Sequence, residues 1–294
     1  MKVNKVIIPV AGLGTRMLPA SKAIPKEMFP IINKPVIQYI VEEVKNAGFK
    51  EIIFVTHSSK YSIENHFDTS FELEAALEKR VKRSLLREIR SISKLKVNIQ
   101  SIRQGEVKGL GHAILCAKSI IGNEPFAVVL PDMVINGSNR LNNLSLMKEI
   151  FETYNNSSIL LAKAKQKDIN KYGIAKVKKI KHQDFSIIEK IIEKPSLKKA
   201  PSNLYAVGRY IFENNIIEFL EKVSPDKSGE IQLTDAIDLL LKEKIKILGI
   251  NLEGNVFDCG EKFGFLAANI EFSKNDIELK KEIKEFLKKF LQEN

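Results

Sequence analysis

The sequence predicts an α/β fold with a mixed, mostly parallel central sheet flanked by helices, and three observations lead there. Continuous β-branched runs alternate with segments of helical apolar spacing through the first half of the chain. A glycine-rich turn follows directly on the first strand. Beyond residue 160 the pattern changes to shorter strand-like segments, so a smaller, strand-rich part is expected after the alternating one.

The elements follow in order. VNKVIIPVA (3 to 11) is a β-branched run ending in glycines, as expected of a strand buried on both faces. PVIQYIVEEVKNAG (35 to 48) has Pro35 at the helix start and Gly48 at its stop. EIIFVT (51 to 56) is the next buried strand, and a long, charged, helix-like region spans 62 to 93. KVNIQSI (96 to 102) returns to strand, GHAILCAKSI (111 to 120) to helix and PFAVVLP (125 to 131) to strand. Such alternation puts helices on both faces of a largely parallel sheet, with ligands expected at the carboxyl ends of its strands. SSILLAKA, YGIAKVKKIK, FSIIEKIIEKP and NLYAVGRYIF are the later strands, and helical spacing returns at 214 to 223 and 231 to 244. The segment 274 to 293 repeats Ile277, Leu279, Ile283, Phe286, Leu287, Phe290 and Leu291 at helical intervals. This amphipathic helix is expected to pack on its own body or against a second copy, and the mixed Glu and Lys on its polar face argue against a membrane surface. One domain over 1–273, with halves 1–160 and 161–273, and a C-terminal helix at 274–294 are the expected organisation.

Charge narrows the function classes. Lys and Arg number 47 against 36 Asp and Glu, a formal charge of +11. Residues 79 to 103 hold nine Lys/Arg against Glu88 alone, and residues 163 to 199 hold twelve Lys against four acids, which leaves the remainder net acidic. Lysines outnumber arginines 39 to 8, whereas base-edge readers and phosphate forks rely on the planar guanidinium. The excess therefore reads as the bias of a Lys-, Ile- and Asn-rich chain before it reads as a nucleic-acid or membrane surface. Cys116 and Cys259 are too few for a disulfide framework or a four-ligand zinc site. The N-terminal apolar run is short, is broken by Gly12 and Gly14, and lacks a cleavage site. No stretch approaches the ~18 apolar residues of a membrane span, so a soluble cytoplasmic protein is expected.

The segment AGLGTRMLP (11 to 19) is the most informative. Glycines after a first α/β strand permit close backbone approach to a phosphate or base, with peptide N–H groups aimed at the ligand. A dinucleotide fingerprint needs a third glycine where Met17 stands, and the Gly-Lys-Ser/Thr of a P-loop is missing, so neither common nucleotide motif applies. Arg16, Lys22 and Lys26 follow in a proline-punctuated loop. Three cations beside such a turn suit a triphosphate; the alternative is a tight strand-to-helix turn with solvated charges. His57, His66, His112 and His182 share no metal-ligand spacing. His112 reads as a helix-start residue and Cys259 as packing.

AGLGTRMLPASKAIPKEMFPIINKPVIQYIVEE (11 to 43) resembles the signature of bacterial UTP–glucose-1-phosphate uridylyltransferases, within the sugar-phosphate nucleotidyltransferase superfamily. Five more stretches resemble that family in the same order: RQGEVKGLGHAILCA (103 to 117), FAVVLPD (126 to 132), EKPSLKKAPSNLYAVGRYIF (193 to 212), GEIQLTDAI (229 to 237) and FDCGEKFGFLAANIE (257 to 271). The resemblance implies a Rossmann-like nucleotidyltransferase fold in which 1–160 binds nucleotide and 161–273 binds sugar phosphate; the C-terminal helix is a candidate oligomerisation element. It implies transfer of uridylyl from UTP to glucose 1-phosphate by in-line attack on the α-phosphorus. Arg16 and Lys26 would hold the triphosphate and Lys194 the sugar phosphate. Ala11, Gly12, Gly14, Thr15, Gln104, Gly109 and Gly111 would bind the nucleotide, and Gly173, Glu193 and Gly208 the sugar. Asp132 and Asp258 would hold Mg²⁺, with Met133 standing where relatives often carry a second acid. Glu193-Lys194 is chosen over Glu189-Lys190 because only the former precedes Pro195. The implied partners are UTP and glucose 1-phosphate, with no nucleic acid or membrane, in a homo-oligomer, dimer or tetramer. Thymidylyl transfer and a non-catalytic paralogue that binds sugar nucleotide without turnover are the alternatives.

Overall fold

A computed structural model describes residues 1–137 and 142–292, so the last two residues of the expected C-terminal helix segment lie outside the described residues. β1 (Lys5–Pro9) leads into the glycine loop, and a short ribbon of β2 (Pro30–Ile31) and β3 (Lys34–Pro35) delivers the chain to α1 (Val36–Asn46). β4 (Glu51–Thr56) then pairs parallel with β1. The helix-like region of 62 to 93 resolves into three helices, α2 (Tyr61–Phe67), α3 (Phe71–Lys79) and α4 (Arg83–Ser93). Extended backbone at Asp68 ends the first, and left-handed Val81, at φ 56°, turns the chain between the other two. β5 (Asn98–Arg103) joins β4 in parallel, and α5 (Gly109–Cys116) with α6 (Lys118–Ile121) returns the chain to β6 (Phe126–Val129) on the other side of β1.

The second half builds on the same sheet. β7 (Met133–Asn136) leaves it, and α7 (Asn143–Tyr154) precedes β8 (Ser158–Lys163), β9 (Ile174–Lys179), β10 (Phe185–Ile192) and β11 (Leu204–Phe212). Next come α8 (Ile216–Lys222), α9 (Leu233–Lys242), β12 (Leu248–Asn251), β13 (Asn255–Asp258), α10 (Lys262–Phe272) and α11 (Ile277–Gln292). The nine-stranded sheet has the order β5-β4-β1-β6-β11-β8-β12-β10-β9. All its strands run one way except β11 and β10, so strands from both sides of residue 160 share one mixed sheet.

Both faces of the sheet's central strands β1, β4, β6, β11, β8 and β12 are buried, which is why these read as unbroken apolar runs, whereas β5, β9 and β10 are partly exposed. Side chains alternate along a strand. Val6 and Ile8 therefore meet α1 and α7 through Ile37, Ile40, Val41, Met147 and Phe151, whereas Ile7 meets α5, α8 and α9 through Ile114, Leu220 and Ile237. The first basic stretch lies largely on the exposed α3–α4 hairpin, where Arg90 pairs with Glu74 at 2.8 Å, and the second along the exposed side of β9 and β10. No residue of α11 is fully buried: Leu279, Ile283 and Leu287 are half-buried along one face, whereas Ile277, Phe286 and Leu291 stand exposed. No helix among the described residues is long and apolar enough to cross a membrane.

One charged residue sits at the centre of the architecture. Arg209 of β11 is 0% exposed and grips Glu43 of α1 with two parallel hydrogen bonds, Nε to Oε1 at 3.0 Å and Nη2 to Oε2 at 2.7 Å. Its guanidinium also donates to the carbonyls of Leu130, Gly208 and Met133, at 3.3, 3.3 and 2.6 Å. Arg209 thus ties helix, sheet and the chain leaving β6 together. Arg209→Met removes the partner of the largely enclosed Glu43 side chain and three carbonyl contacts, and is expected to lower the unfolding free energy by about 3–5 kcal/mol. Urea denaturation checks this; a loss under about 1 kcal/mol would reduce the pair to an ordinary surface contact.

Candidate active site

Beyond the carboxyl ends of β1 and β6 the halves enclose a cleft of about 360 Å³, room for a small-molecule ligand. Ala11, Gly12, Arg16, Lys26, Gln104 and Gly109 line it from the first half. Gly173, Glu193, Lys194 and Asp258 line it from the second, and Asp132 stands at the join. Gly12 has an ordinary backbone, and a Cβ there would touch nothing within 4 Å. The packing of the fold does not require glycine at that position, which opens on the cleft.

Four sequence-predicted residues do not line the cleft. Gly14 and Thr15 shape the loop from behind: Gly14 is left-handed, at φ 68°, and its carbonyl accepts from Ser21 Oγ at 2.8 Å. Gly111, expected to approach a base, lets α5 pack against the segment before α9, because a Cβ there would come within 2.7 Å of the Ile231 carbonyl. Gly208, expected in the sugar pocket, adopts φ 80° at the irregularity of β11, where a Cβ would strike Leu130 at 2.7 Å. It seats Leu130, and Leu130 lines the cleft.

The two aspartates meet through a ribbon that sequence periodicity does not reveal. β7 pairs antiparallel with β13, placing Asp258 opposite Met133, and the Cys259 N–H donates to the Asp132 carbonyl at 2.8 Å. Cys259 is accordingly buried packing, and Met133 contributes its carbonyl to Arg209. A Cβ on Gly260 would lie 2.8 Å from Asp132 Oδ2 and 3.0 Å from Asp258 Oδ1, so both carboxylates face one small space. Lys26 donates to Asp132 Oδ2 at 2.5 Å. Burial opposes the Asp132 charge, but Lys26 and Arg16 outweigh it and hold that carboxyl below its usual range. Burial and the neighbouring Asp132 push Asp258 upward. No group of three or more His, Cys, Asp or Glu among the described residues could hold a metal ion. The pair offers hard oxygen donors and leaves other positions to ligand oxygens and water, a donor set that suits Mg²⁺.

In the wall from the first half, Gln104 is 3% exposed, and its Nε2 is engaged by the Gly109 carbonyl at 3.2 Å and His112 Nδ1 at 3.0 Å. In the wall from the second half, Glu193 accepts from Thr234 Oγ1 at 3.2 Å and lies 3.5 Å from Lys194. Burial pushes the Glu193 carboxyl upward. Gly173 makes room for it, since a Cβ there would lie 3.2 Å from Glu193 Oε2. Lys194 is left-handed, at φ 40°, with its N–H bonded to the Tyr172 carbonyl at 3.1 Å, which turns the chain out of β10 toward the cleft.

Sequence reasoning missed several supports. Lys60 donates to Glu27 Oε2 at 2.9 Å in an almost fully buried pair, and so anchors the turn that carries Lys26. A buried lysine outside any motif gives no sequence signal, although Glu27 lies within the KEM segment. His112 orients Gln104, which its place eight residues later in the same stretch could have suggested. Tyr172 donates to Asp258 Oδ2 at 3.2 Å, and Lys171 and Glu261 pair at 2.7 Å at the cleft rim.

The fold and this cleft define a nucleotidyl transferase: the family model for nucleotidyl transferases matches residues 5–275, and the chain belongs to that family. Within it the chain is similar to the UTP–glucose-1-phosphate uridylyltransferase of Haemophilus ducreyi, 53% identical over 274 residues that cover 92% of each protein. Among solved structures it is similar to a UTP-bound UGPase from Acinetobacter baumannii, with a TM-score of 0.88 and 42% identity over 97% of this chain and 98% of that one. A UDP-glucose pyrophosphorylase complexed with UDP-glucose gives a TM-score of 0.83 and 38% identity over 93% and 99%.

Gly260→Ala tests the shared space of the aspartates. The added methyl group displaces one or both carboxylates, and nucleotidyl transfer is expected to fall by about tenfold or more. The divalent-metal concentration for half-maximal rate should rise, with the melting temperature unchanged. Unaltered metal dependence would show that the two carboxylates do not act together.

Proposed function

We propose that the chain transfers uridylyl from UTP to α-D-glucose 1-phosphate, giving UDP-glucose and pyrophosphate. The observation that carries this reading is the convergence of Lys26 and Arg16 on the Asp132–Asp258 pair at the mouth of a glycine-lined loop. The names of the relatives supply the base and the sugar. The attacking oxygen belongs to a phosphate that is already anionic near neutral pH, so no general base is required. Catalysis reduces to alignment and neutralisation of a crowded polyanion.

Lys26 is suited to the charge that develops at the α-phosphoryl group. Burial works against its ammonium, but Asp132 more than compensates, so it stays protonated. Arg16 serves the triphosphate and Lys194 the sugar phosphate. The Gln104 amide oxygen accepts from the uracil N3–H, backbone at Ala11, Gly12 and Gly109 approaches the ring, and Glu193 accepts from glucose hydroxyls. Residues 1–160 thus form the nucleotide half and 161–273 the sugar half. Mg²⁺ held by Asp132 and Asp258 would neutralise phosphate charge. The exposed apolar residues of α11 support association into a dimer or tetramer, and a cytoplasmic location is the setting this reading expects.

Pyrophosphate release with UTP, glucose 1-phosphate and Mg²⁺ tests the proposal. Lys26→Ala is expected to lower kcat by ~100-fold or more if Lys26 meets the transition state, and chelation of the metal should abolish turnover. Replacing UTP by dTTP separates uridylyl from thymidylyl transfer, and UTP is expected to be preferred. A wild type silent with UTP and every sugar 1-phosphate tried would leave the non-catalytic alternative.

A further inference from the structure

A carboxylate spans the rim of the cleft and is shared by two cations from opposite sides. Glu261, at the start of α10, accepts from Arg16 Nη1 at 3.1 Å through Oε1 and from Lys171 Nζ at 2.7 Å through Oε2. Arg16 comes from the glycine loop, and Lys171 closes the 3-10 turn Gln166–Lys171 that precedes β9. Lys171 also meets Asp168 Oδ1 at 3.0 Å, and Arg16 lies 3.8 Å from Asp258 Oδ2. The hydrogen bond from Lys171, followed by the charges of Lys171 and Arg16, holds the Glu261 carboxyl below its ordinary range.

We propose that Arg16 and Lys171 form a two-cation site for the pyrophosphoryl part of the nucleotide, and that Glu261 is its built-in competitor. A carboxylate that satisfies both cations with separate oxygens marks where two phosphate oxygens fit, since both groups accept charge-assisted hydrogen bonds from the same donors. The cations are partly exposed, and ion pairs of that kind contribute little to stability. A polyanion with several charges therefore displaces Glu261 readily. Lys194 pairs with Glu193 and takes no part in this bridge. Glu261 thus sets how tightly pyrophosphate is retained, and hence how readily product leaves.

The assignment of the bound group rests on the uridylyl-transfer reading, and the test separates the two. Pyrophosphate and glucose 1-phosphate are titrated calorimetrically, with Mg²⁺ present, into full-length wild type, Lys171→Met, Lys171→Arg and Glu261→Gln. Lys171→Met is expected to weaken pyrophosphate about tenfold, with Lys171→Arg near wild type, and Glu261→Gln to tighten it several-fold. Glucose 1-phosphate should change by less than about twofold in each. Pyrophosphate affinity indifferent to Lys171→Met, equal weakening of both ligands, or weaker pyrophosphate in Glu261→Gln would overturn the assignment. The same preparations are assayed for turnover. Wild type that binds pyrophosphate in the expected pattern but turns over neither UTP nor UDP-glucose would sink the reaction and leave the anion site standing.

Discussion

The antiparallel pairing of β7 with β13 brings two carboxylates, far apart in sequence, to one point in space. Like charges so close are costly unless cations share the site, and this requirement organises much of the cleft. Lys26 reaches Asp132 because its turn is anchored by the buried Glu27–Lys60 pair. Arg16 reaches Asp258 from the same loop. Tyr172 steadies Asp258 from the second half, and Arg209 holds the Met133 carbonyl beside Asp132. These supports come from the glycine loop, the segment before β9 and β11, and all bear on one ribbon of four-residue strands.

The mixed sheet explains how elements so distant in sequence can cooperate. β11 runs antiparallel between β6 and β8, so the strand that seats Leu130 through Gly208 also carries Arg209 across to α1. β10 ends at the left-handed Lys194, which directs Glu193 and Lys194 into the space that the glycine loop enters from the other half. The cleft is therefore a seam along one sheet.

Much of this was legible in the sequence, for physical reasons. Strands buried on both faces leave unbroken apolar runs, and the Pro35 and Gly48 punctuation bounds α1. Cleft-lining glycines such as Gly12 stand out because they follow a first strand. Gly111 and Gly208 look the same in sequence but serve packing, since nothing in a one-dimensional pattern tells a ligand from a neighbouring side chain. β7 and β13 are too short to show a period. The partners of Arg209, Lys60 and Glu261 lie many residues away, so their ion pairs exist only once the fold is formed. α11 has the pattern of a packed helix, yet no residue of it is fully buried.

The hydrogen-bonded continuity of β6, β11 and β8 also bears on motion. Two halves joined through a single sheet, with apolar cores on both its faces, cannot rotate about a hinge without breaking strand pairs. Opening and closing of the cleft is left to what lies outside the sheet: the glycine loop, the turn that carries Lys171, and the β7–β13 ribbon. A substrate that enters without breaking strand pairs would have to pass those rim segments, two of which the Arg16–Glu261–Lys171 bridge ties together.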